Sequence, residues 1–180
     1  IDRPIRPLFP ETYLREVQVM SMVLSADKEN DPDILAMIGA SASLSVSNIP
    51  FCGPAGSARV GQIDGEFVIN PTHSELVKST MDLVVSGTED AVTMVEASSK
   101  EVPEDQMVAA IMFGHKFIKE IVQLQRELLA KCGKEKQPIP PLKMDMVLFE
   151  EIKKKYYSQI LDKNQKRNKL ILLILKCLDT

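Results

Sequence analysis

Apolar and polar residues alternate along five short stretches of the chain. Alternation with a period of two is typical of half-buried strands. The predicted strands are residues 16–27, 57–63, 66–70, 81–86 and 92–97. Asp64-Gly65 joins the second of these to the third, and Gly87-Thr88-Glu89-Asp90 joins the last two. Both connections are typical of hairpins, so the pattern indicates two antiparallel pairs.

A helix rich in small residues is predicted between the first two strands. Asp31 can cap it and Pro32 can be its first residue, because proline has no N–H to lose at that position. Small side chains then dominate up to Asn48, and Pro50 follows. A helix with so little bulk lets neighbouring backbones approach closely, so we expect it to be buried under a sheet.

A longer helix is predicted from Pro103 to Cys132, because apolar residues recur there at three- and four-residue steps and Gly133 follows. Residues 134–141 contain three prolines and are typical of a linker. A further helical pattern begins at Asp145, so residues 142–180 are expected to start an all-helical segment. From about Asn164 the composition shifts to Lys, Asn, Ile and Leu, and we expect a divergent or disordered tail rather than a native helix.

The composition is that of a soluble globular protein, with 44% apolar and 26% charged residues. The apolar run at residues 170–175 is far shorter than the ~20 residues that cross a bilayer, so no membrane contact is expected. The three cysteines have no metal-ligand spacing. Their odd number, without a secretory segment, favours a reducing, cytoplasmic compartment with free and mostly buried thiols.

The charge is divided unevenly along the chain. Residues 134–180 hold 11 Lys and Arg against 6 Asp and Glu, whereas residues 1–133 hold 11 against 19. The acidic main body is therefore not a general polyanion-binding surface. Any contact with nucleic acid must come from a few placed arginines.

Two such arginines lie in the proline-rich segment IDRPIRPLFP, residues 1–10. Arg3 and Arg6 each precede a proline, which favours extended backbone and prevents a regular helix beyond the first turn. One interpretation is a surface connection with solvated arginines. The other is a preset pair of phosphate ligands, since arginine suits bidentate phosphate contact.

Several long motifs in order carry a family resemblance: IDRPIRPLFP, then NDPDILAMIGASASLSVSNIPFCGPAGSARVGQIDGEFVINPT, then MDLVVSGTEDAVTMVEA, with FGHKFI behind it. Over residues 1–133 the sequence resembles bacterial polynucleotide phosphorylase. That family joins two ribonuclease-PH-like cores through an all-helical domain. The resemblance implies an α+β fold with a partial ribonuclease-PH-like (ribosomal-protein-like βαβα) core, here the later part of the first core, followed by the start of the all-helical domain.

The activity that the resemblance implies is phosphorolytic 3′→5′ degradation of RNA in mRNA turnover. Inorganic phosphate attacks the terminal phosphodiester, a nucleoside diphosphate leaves, and Mg²⁺ neutralises the developing charge. The implied partners are single-stranded RNA, phosphate, nucleoside diphosphates, two further copies in a homotrimeric ring and an RNA-degradation assembly. Arg3 and Arg6 match a segment whose arginines contact the RNA strand.

Departures from the family pattern remove the catalytic groups. Asp31-Pro32-Asp33 stands where the active core has a serine-rich phosphate-binding turn, Val84 replaces its lysine and Leu76 replaces one metal-binding aspartate. Asp82 alone remains. We therefore expect no catalytic residue and no metal ligand in this chain, with Mg²⁺ held by the second core of the full enzyme. The alternative is a truncated, inactive RNA-binding or scaffold protein.

Isolated polar residues are predicted to be structural. Asp82 suits a strand edge or a cap better than a metal site, and His73 suits the surface of a short helix. His115 is expected to be packed or capping, because no other ligand type accompanies it. The serines of the small-residue helix have no nearby base and fit helix packing better than nucleophilic catalysis; they are Ser41, Ser43 and Ser45.

Overall fold

A computed structural model describes the backbone of residues 1–139, 141 and 145–178, with side chains described up to residue 162. The chain divides into two compact units, Ile1–Pro140 and Pro141–Thr180. The first unit combines helices with a sheet and the second contains a helix, so the predicted α+β body followed by a helical segment agrees with the observed elements.

The elements of the first unit follow the predicted order. Its helices are α1 (Asp2–Ile5), α2 (Asp33–Val46), α3 (His73–Leu76) and α4 (Glu104–Cys132), with a 3₁₀ turn at Arg6–Leu8. Its strands are β1 (Gly56–Ile63), β2 (Glu66–Ile69), β3 (Met81–Gly87) and β4 (Val92–Ser99). Four of the five predicted strands are therefore confirmed, each with its ends displaced by no more than two residues.

The strands form one antiparallel sheet in the order β2-β1-β3-β4. Asp64 and Gly65 have φ angles of 52° and 86° and make the tight turn between β1 and β2. Such positive angles suit glycine and are tolerated by aspartate, which is why Asp-Gly predicted this hairpin correctly. The pairing of Val60 with Leu83 places the central strands β1 and β3 side by side.

Each face of the sheet carries one helix. Helix α4 packs its Ala110, Ile118 and Val122 against the face that bears Val60 and Leu83, and these side chains are 0–1% exposed. Helix α2 packs on the opposite face through a cluster of Ile34, Met37 and Met94. The predicted burial of α2 is thus correct for one side only, because its Leu35 is 72% exposed.

Hydrogen bonds fix the point where the chain enters the sheet. The hydroxyl of Ser41 on α2 accepts a bond of 2.8 Å from the backbone N–H of Ala55. The side-chain amide of Gln125 on α4 donates a bond of 2.8 Å to the backbone carbonyl of Ala55. Both backbone polar groups of the buried residue Ala55 are satisfied in this way, which ties the two helices to the start of β1.

Residues 134–137 are fixed against the C-terminal end of α2, which a free linker would not be. The ammonium group of Lys136 donates to the carbonyls of Leu44, Ser45 and Ser47 at 2.8–3.0 Å. Burial lowers the pKa of this lysine. A cation at a helix C-terminus is favourable, and these bonds satisfy carbonyls that the helix leaves unpaired.

The predicted strand at residues 16–27 is wrong. Within the described residues no other strand pairs with this segment. Val17 and Val19 are partly buried against Ile5, Leu44 and Phe51. The following residues Met20 and Met22 are 78% and 77% exposed. Alternation identified the side that packs, but a strand also requires a hydrogen-bonded neighbour.

The cysteine prediction is half right. Cys52 and Cys132 are free thiols, but both are exposed rather than buried. The side chain of Cys177 lies outside the described residues. The thiols are exposed because Cys52 lies in the connection that leads to β1, whereas Cys132 is the last residue of α4.

The second unit contains α5 (Met146–Leu178), so the helix predicted from Asp145 is confirmed. Its backbone remains helical beyond Asn164, which differs from the expectation of a disordered tail. Composition was a poor guide here, because lysine and leucine are both good helix formers. Among the described residues, no helix is long and apolar enough to cross a membrane.

Two helical glycines offer a matched test of this packing. A methyl group at Gly114 would lie 2.9 Å from Cγ2 of Val60, whereas one at Gly39 would have no atom within 4 Å. Gly114→Ala should lower the free energy of unfolding by about 1–3 kcal/mol through overpacking. Gly39→Ala should raise it by about 0.5–1 kcal/mol. Urea unfolding measures both, and equal effects of the same sign would contradict the arrangement of α4 on the sheet.

Candidate functional site

Three carboxylates and one arginine meet where α2 begins beside the central strands. The guanidinium of Arg59 on β1 donates from Nη1 to both carboxylate oxygens of Asp82 on β3, at 2.9 and 2.8 Å. Its Nη2 donates to Asp33 at 2.5 Å and to Asp31 at 3.3 Å. This group of Arg59, Asp31, Asp33 and Asp82 is called the Arg59 cluster below.

The sheet register brings the cluster together. Arg59 pairs directly with Val84, and Asp82 lies two residues before Val84 on the same strand. Side chains two apart on a strand point to the same face, so Arg59 and Asp82 both face α2. The first turn of α2 then supplies Asp33, and Asp31, two residues earlier, accepts a bond from the Asp33 N–H.

The electrostatics of the cluster are those of a closed ion network. The Arg59 side chain is 11% exposed, whereas its carboxylate partners are 36–40% exposed. Burial by itself lowers the pKa of Arg59, but the charges of Asp33, Asp82 and Asp31 together outweigh it and raise the pKa. Arginine therefore remains charged, and its delocalised fork suits several carboxylates at once.

This closure does not fit a metal or a phosphate. The carboxylates that would face a cation already accept hydrogen bonds from Arg59, and their negative charge would repel a phosphate. Val84 on β3 pairs with Arg59 on β1, and Leu76 lies on α3. Both side chains are apolar, so neither can bind a phosphate or a metal ion. In the part of the chain with described side chains, no group of His, Cys, Asp and Glu is arranged to hold a metal ion.

The role of Arg59 was not predicted from the sequence. Asp82 was expected at a strand edge or as a cap, whereas both of its carboxylate oxygens pair with Arg59 on the neighbouring strand. One signal was present: Arg59 is the only charged residue of the strand GSARVGQI, whose first seven residues are all buried. A buried arginine in a strand needs carboxylate partners, and the sequence contains three on facing elements.

The remaining isolated residues behave as predicted. His115 is buried and donates from Nε2 to the carbonyl of Thr88 at 2.9 Å. His73 is exposed on α3, which Thr72 caps. Ser41 holds the backbone of Ala55, while Ser43 donates to the carbonyl of Ala40 within α2.

Arg3 and Arg6 lie in or beside α1, not in extended backbone as expected. Arg3 is helical, and Arg6 follows with φ −55° and ψ −44°. The preference that proline imposes on the residue before it is weak enough for one tight turn to override. The two guanidinium groups also have separate partners: Arg3 lies 3.2 Å from Glu96 and Arg6 lies 2.5 Å from Asp2.

Both arginines are accessible from solvent. Their side chains are 65% and 76% exposed, and those of their carboxylate partners 70% and 65%. Exposed pairs of this kind contribute little stability, so either guanidinium can exchange its partner for another anion at small cost. Hydrogen bonding to Asp2 and its charge raise the pKa of Arg6, so Arg6 stays cationic.

The Arg59 cluster opens into a cavity of about 670 Å³ that Arg3 also lines. The acidic groups around this cavity outnumber the basic ones. They are Asp2, Asp33, Asp82 and Glu96 against Arg3 and Arg59. The cavity therefore has a net negative lining and does not favour a polyanion.

Comparison with known proteins gives matches of two kinds. Residues 53–116 match the family described as "3′ exoribonuclease family, domain 2". The polyribonucleotide nucleotidyltransferase of Thermomicrobium roseum is 52% identical over 151 residues, which are 84% of this chain and 19% of that protein. The enzyme of the same name from Sulfurihydrogenibium is 46% identical over 176 residues, 95% of this chain and 25% of that protein.

This chain is homologous to the polyribonucleotide nucleotidyltransferases. It spans about a quarter or less of the length of these relatives. A match that covers 95% of the chain extends past Asn164, into the tail that was expected to be divergent.

The fold is that of ribonuclease-PH-like proteins. Rice Rrp46 superposes with a TM-score of 0.52 at 15% identity, over 58% of this chain and 51% of Rrp46. The likeness supports the α+β class predicted from the sequence, with helices and a four-stranded antiparallel sheet.

The Arg59 cluster predicts a specific stability effect. Arg59→Met keeps most of the side-chain volume but leaves three carboxylates facing one another, so we expect a loss of about 3 kcal/mol at neutral pH. Urea unfolding at neutral pH measures the effect.

A matched control is Arg126→Ala, which breaks the exposed pair with Glu89. That change should cost about 1 kcal/mol or less. Equal losses for the two variants would contradict a closed ion network.

Proposed function

We propose that this chain is the later part of the first, noncatalytic core of a phosphorolytic 3′→5′ exoribonuclease, together with the start of its helical domain. The full enzyme would degrade RNA with inorganic phosphate to nucleoside diphosphates in cytoplasmic mRNA turnover. The observation that carries the proposal is the Arg59 cluster: its three aspartates, which the resemblance matches to phosphate- and metal-binding positions of the active core, are bonded to Arg59.

The cluster supports a structural role for this core. Phosphorolysis depends on stabilising charge at the transferring phosphate, and one lost donor of such a site typically costs ~10²–10³ in rate. In this chain Asp31-Pro32-Asp33 stands at the position of the serine-rich turn, and Val84 stands at the position of the lysine. Because the carboxylates bond to Arg59, no Mg²⁺ step is assigned to this chain, and the metal would belong to the second core.

The proposed partners are single-stranded RNA and two further copies of the enzyme in a homotrimer, within an RNA-degradation assembly. RNA would be held by Arg3 and Arg6, whose side chains are exposed and paired with exposed carboxylates. An inactive RNA-binding or scaffold protein is the second candidate, and the same missing catalytic groups favour it. The two candidates differ in whether a catalytic second core accompanies this one.

The first test is catalytic. The purified chain, incubated with poly(A), inorganic phosphate and Mg²⁺, should release no ADP above a mock preparation. Asp82→Asn serves as the control, because Asp82 is the one matching carboxylate that remains. ADP release by the parent chain that Asp82→Asn abolishes would overturn the assignment to a noncatalytic core.

The second test concerns RNA contact. Replacing Arg3 and Arg6 together by alanine should weaken binding of labelled oligoadenylate, because each lost phosphate contact reduces counterion release. The slope of log affinity against log salt should fall by about 0.7 per contact for a single strand. Fluorescence anisotropy across a salt series measures this. Unchanged affinity and slope would remove both arginines from the RNA path.

A further inference from the structure

A second groove also borders the N-terminal turn, with Arg6 in its lining in place of Arg3. It has a volume of about 600 Å³ and shares Ile1 and Asp2 with the Arg59 cavity. Unlike the Arg59 cavity, this groove is lined by aromatic as well as polar side chains. They include Arg6, Phe9, Tyr13, Arg15 and Gln18.

The aromatic side chains of this groove are held in place. The rings of Phe9 and Tyr13 are stacked, with centroids 6.3 Å apart and an angle of 14° between their planes. Phe9 packs in turn on Phe51, at 5.4 Å between centroids, within the cluster that contains Ile5. The Tyr13 N–H donates to the carbonyl of Pro10 at 2.9 Å. The half-buried tyrosine ring is therefore a fixed surface at the groove.

The Arg59 cavity and the second groove differ in the sign of their net charge, so they favour different ligands. The Arg59 cavity carries four carboxylates against two guanidinium groups. The second groove carries two guanidinium groups, those of Arg6 and Arg15, against the single carboxylate of Asp2. An anionic strand that approaches the N-terminal turn is thus repelled on the Arg3 side and attracted on the Arg6 side.

We propose that the Arg6–Tyr13–Arg15 groove is a binding subsite for single-stranded RNA, in which a base stacks on Tyr13 while Arg6 and Arg15 contact the phosphates beside it. A fixed aromatic ring between cations is the arrangement that single-strand binding uses, since every base has a face that can stack. This inference rests on the proposed RNA-binding function. It adds Tyr13 and Arg15 to the RNA path and makes Arg6 a stronger contact than Arg3.

Binding requires Arg6 to exchange Asp2 for a phosphate. The pair is exposed on both sides, so the exchange costs little. Arg15 is exposed, and among its described contacts no carboxylate lies within ion-pair distance, so its guanidinium is available as it stands. Tyr13 does not need to move, because its ring already lines the groove.

The test measures anisotropy of labelled oligoadenylate with the full 180-residue chain across a salt series. Tyr13→Ala should weaken binding roughly tenfold without changing the salt slope, because stacking involves no counterion release. Tyr13→Phe keeps the ring and should stay within about twofold. Arg15→Ala should lower the slope by about 0.7, whereas the control Lys119→Ala, an exposed cation on α4, should not.

A second measurement does not depend on the variants being folded. Ultraviolet cross-linking of a thiouridine-containing strand to the parent chain should label the peptide that contains Tyr13. Labelling elsewhere, together with unchanged affinity of Tyr13→Ala and Arg15→Ala, would overturn the subsite. If the Arg3 and Arg6 double variant still weakens binding in that case, the proposed function stands without the subsite. No binding of RNA by the parent chain would overturn both.

Discussion

The ion network around Arg59 is the constraint on which this domain's arrangement depends. It joins the first turn of α2 to the two central strands through one guanidinium group that is nearly buried. A charge in such a place is destabilising unless it is paired and hydrogen-bonded, so the positions of Asp31, Asp33 and Asp82 are fixed by the arginine that they neutralise. The same bonds occupy carboxylate oxygens that a cation would otherwise use.

Helix α2 is held by charge at both ends. Carboxylates lie at its N-terminal end and the ammonium of Lys136 lies at its C-terminal carbonyls, which is the favourable direction for a helix dipole. The helix is rich in small residues and offers a limited apolar surface to the sheet. Polar contacts at its ends therefore contribute to its position more than they would for a helix with a broad leucine stripe.

Local patterns predicted what local interactions determine. Alternation found β1 to β4, and the Asp64-Gly65 pair found its turn, because these signals lie within a few residues of one another. The segment at residues 16–27 failed for the opposite reason, since its strand character depends on a partner that no periodicity can supply. The Arg59 cluster and the Lys136 contacts were missed because their members are 23 to 92 residues apart in sequence.

The resemblance implied that other residues stand at the positions of the active core's phosphate-binding groups, but it could not say how those residues interact. The structure shows those interactions, and their consequence reaches beyond the cluster. Two of the aspartates that neutralise Arg59, Asp33 and Asp82, line the adjoining cavity, and with Asp2 and Glu96 they give it a negative lining. This cavity therefore repels a polyanion. The side of the N-terminal turn that carries Arg6, Tyr13 and Arg15 is left as the side where a polyanion is stabilised.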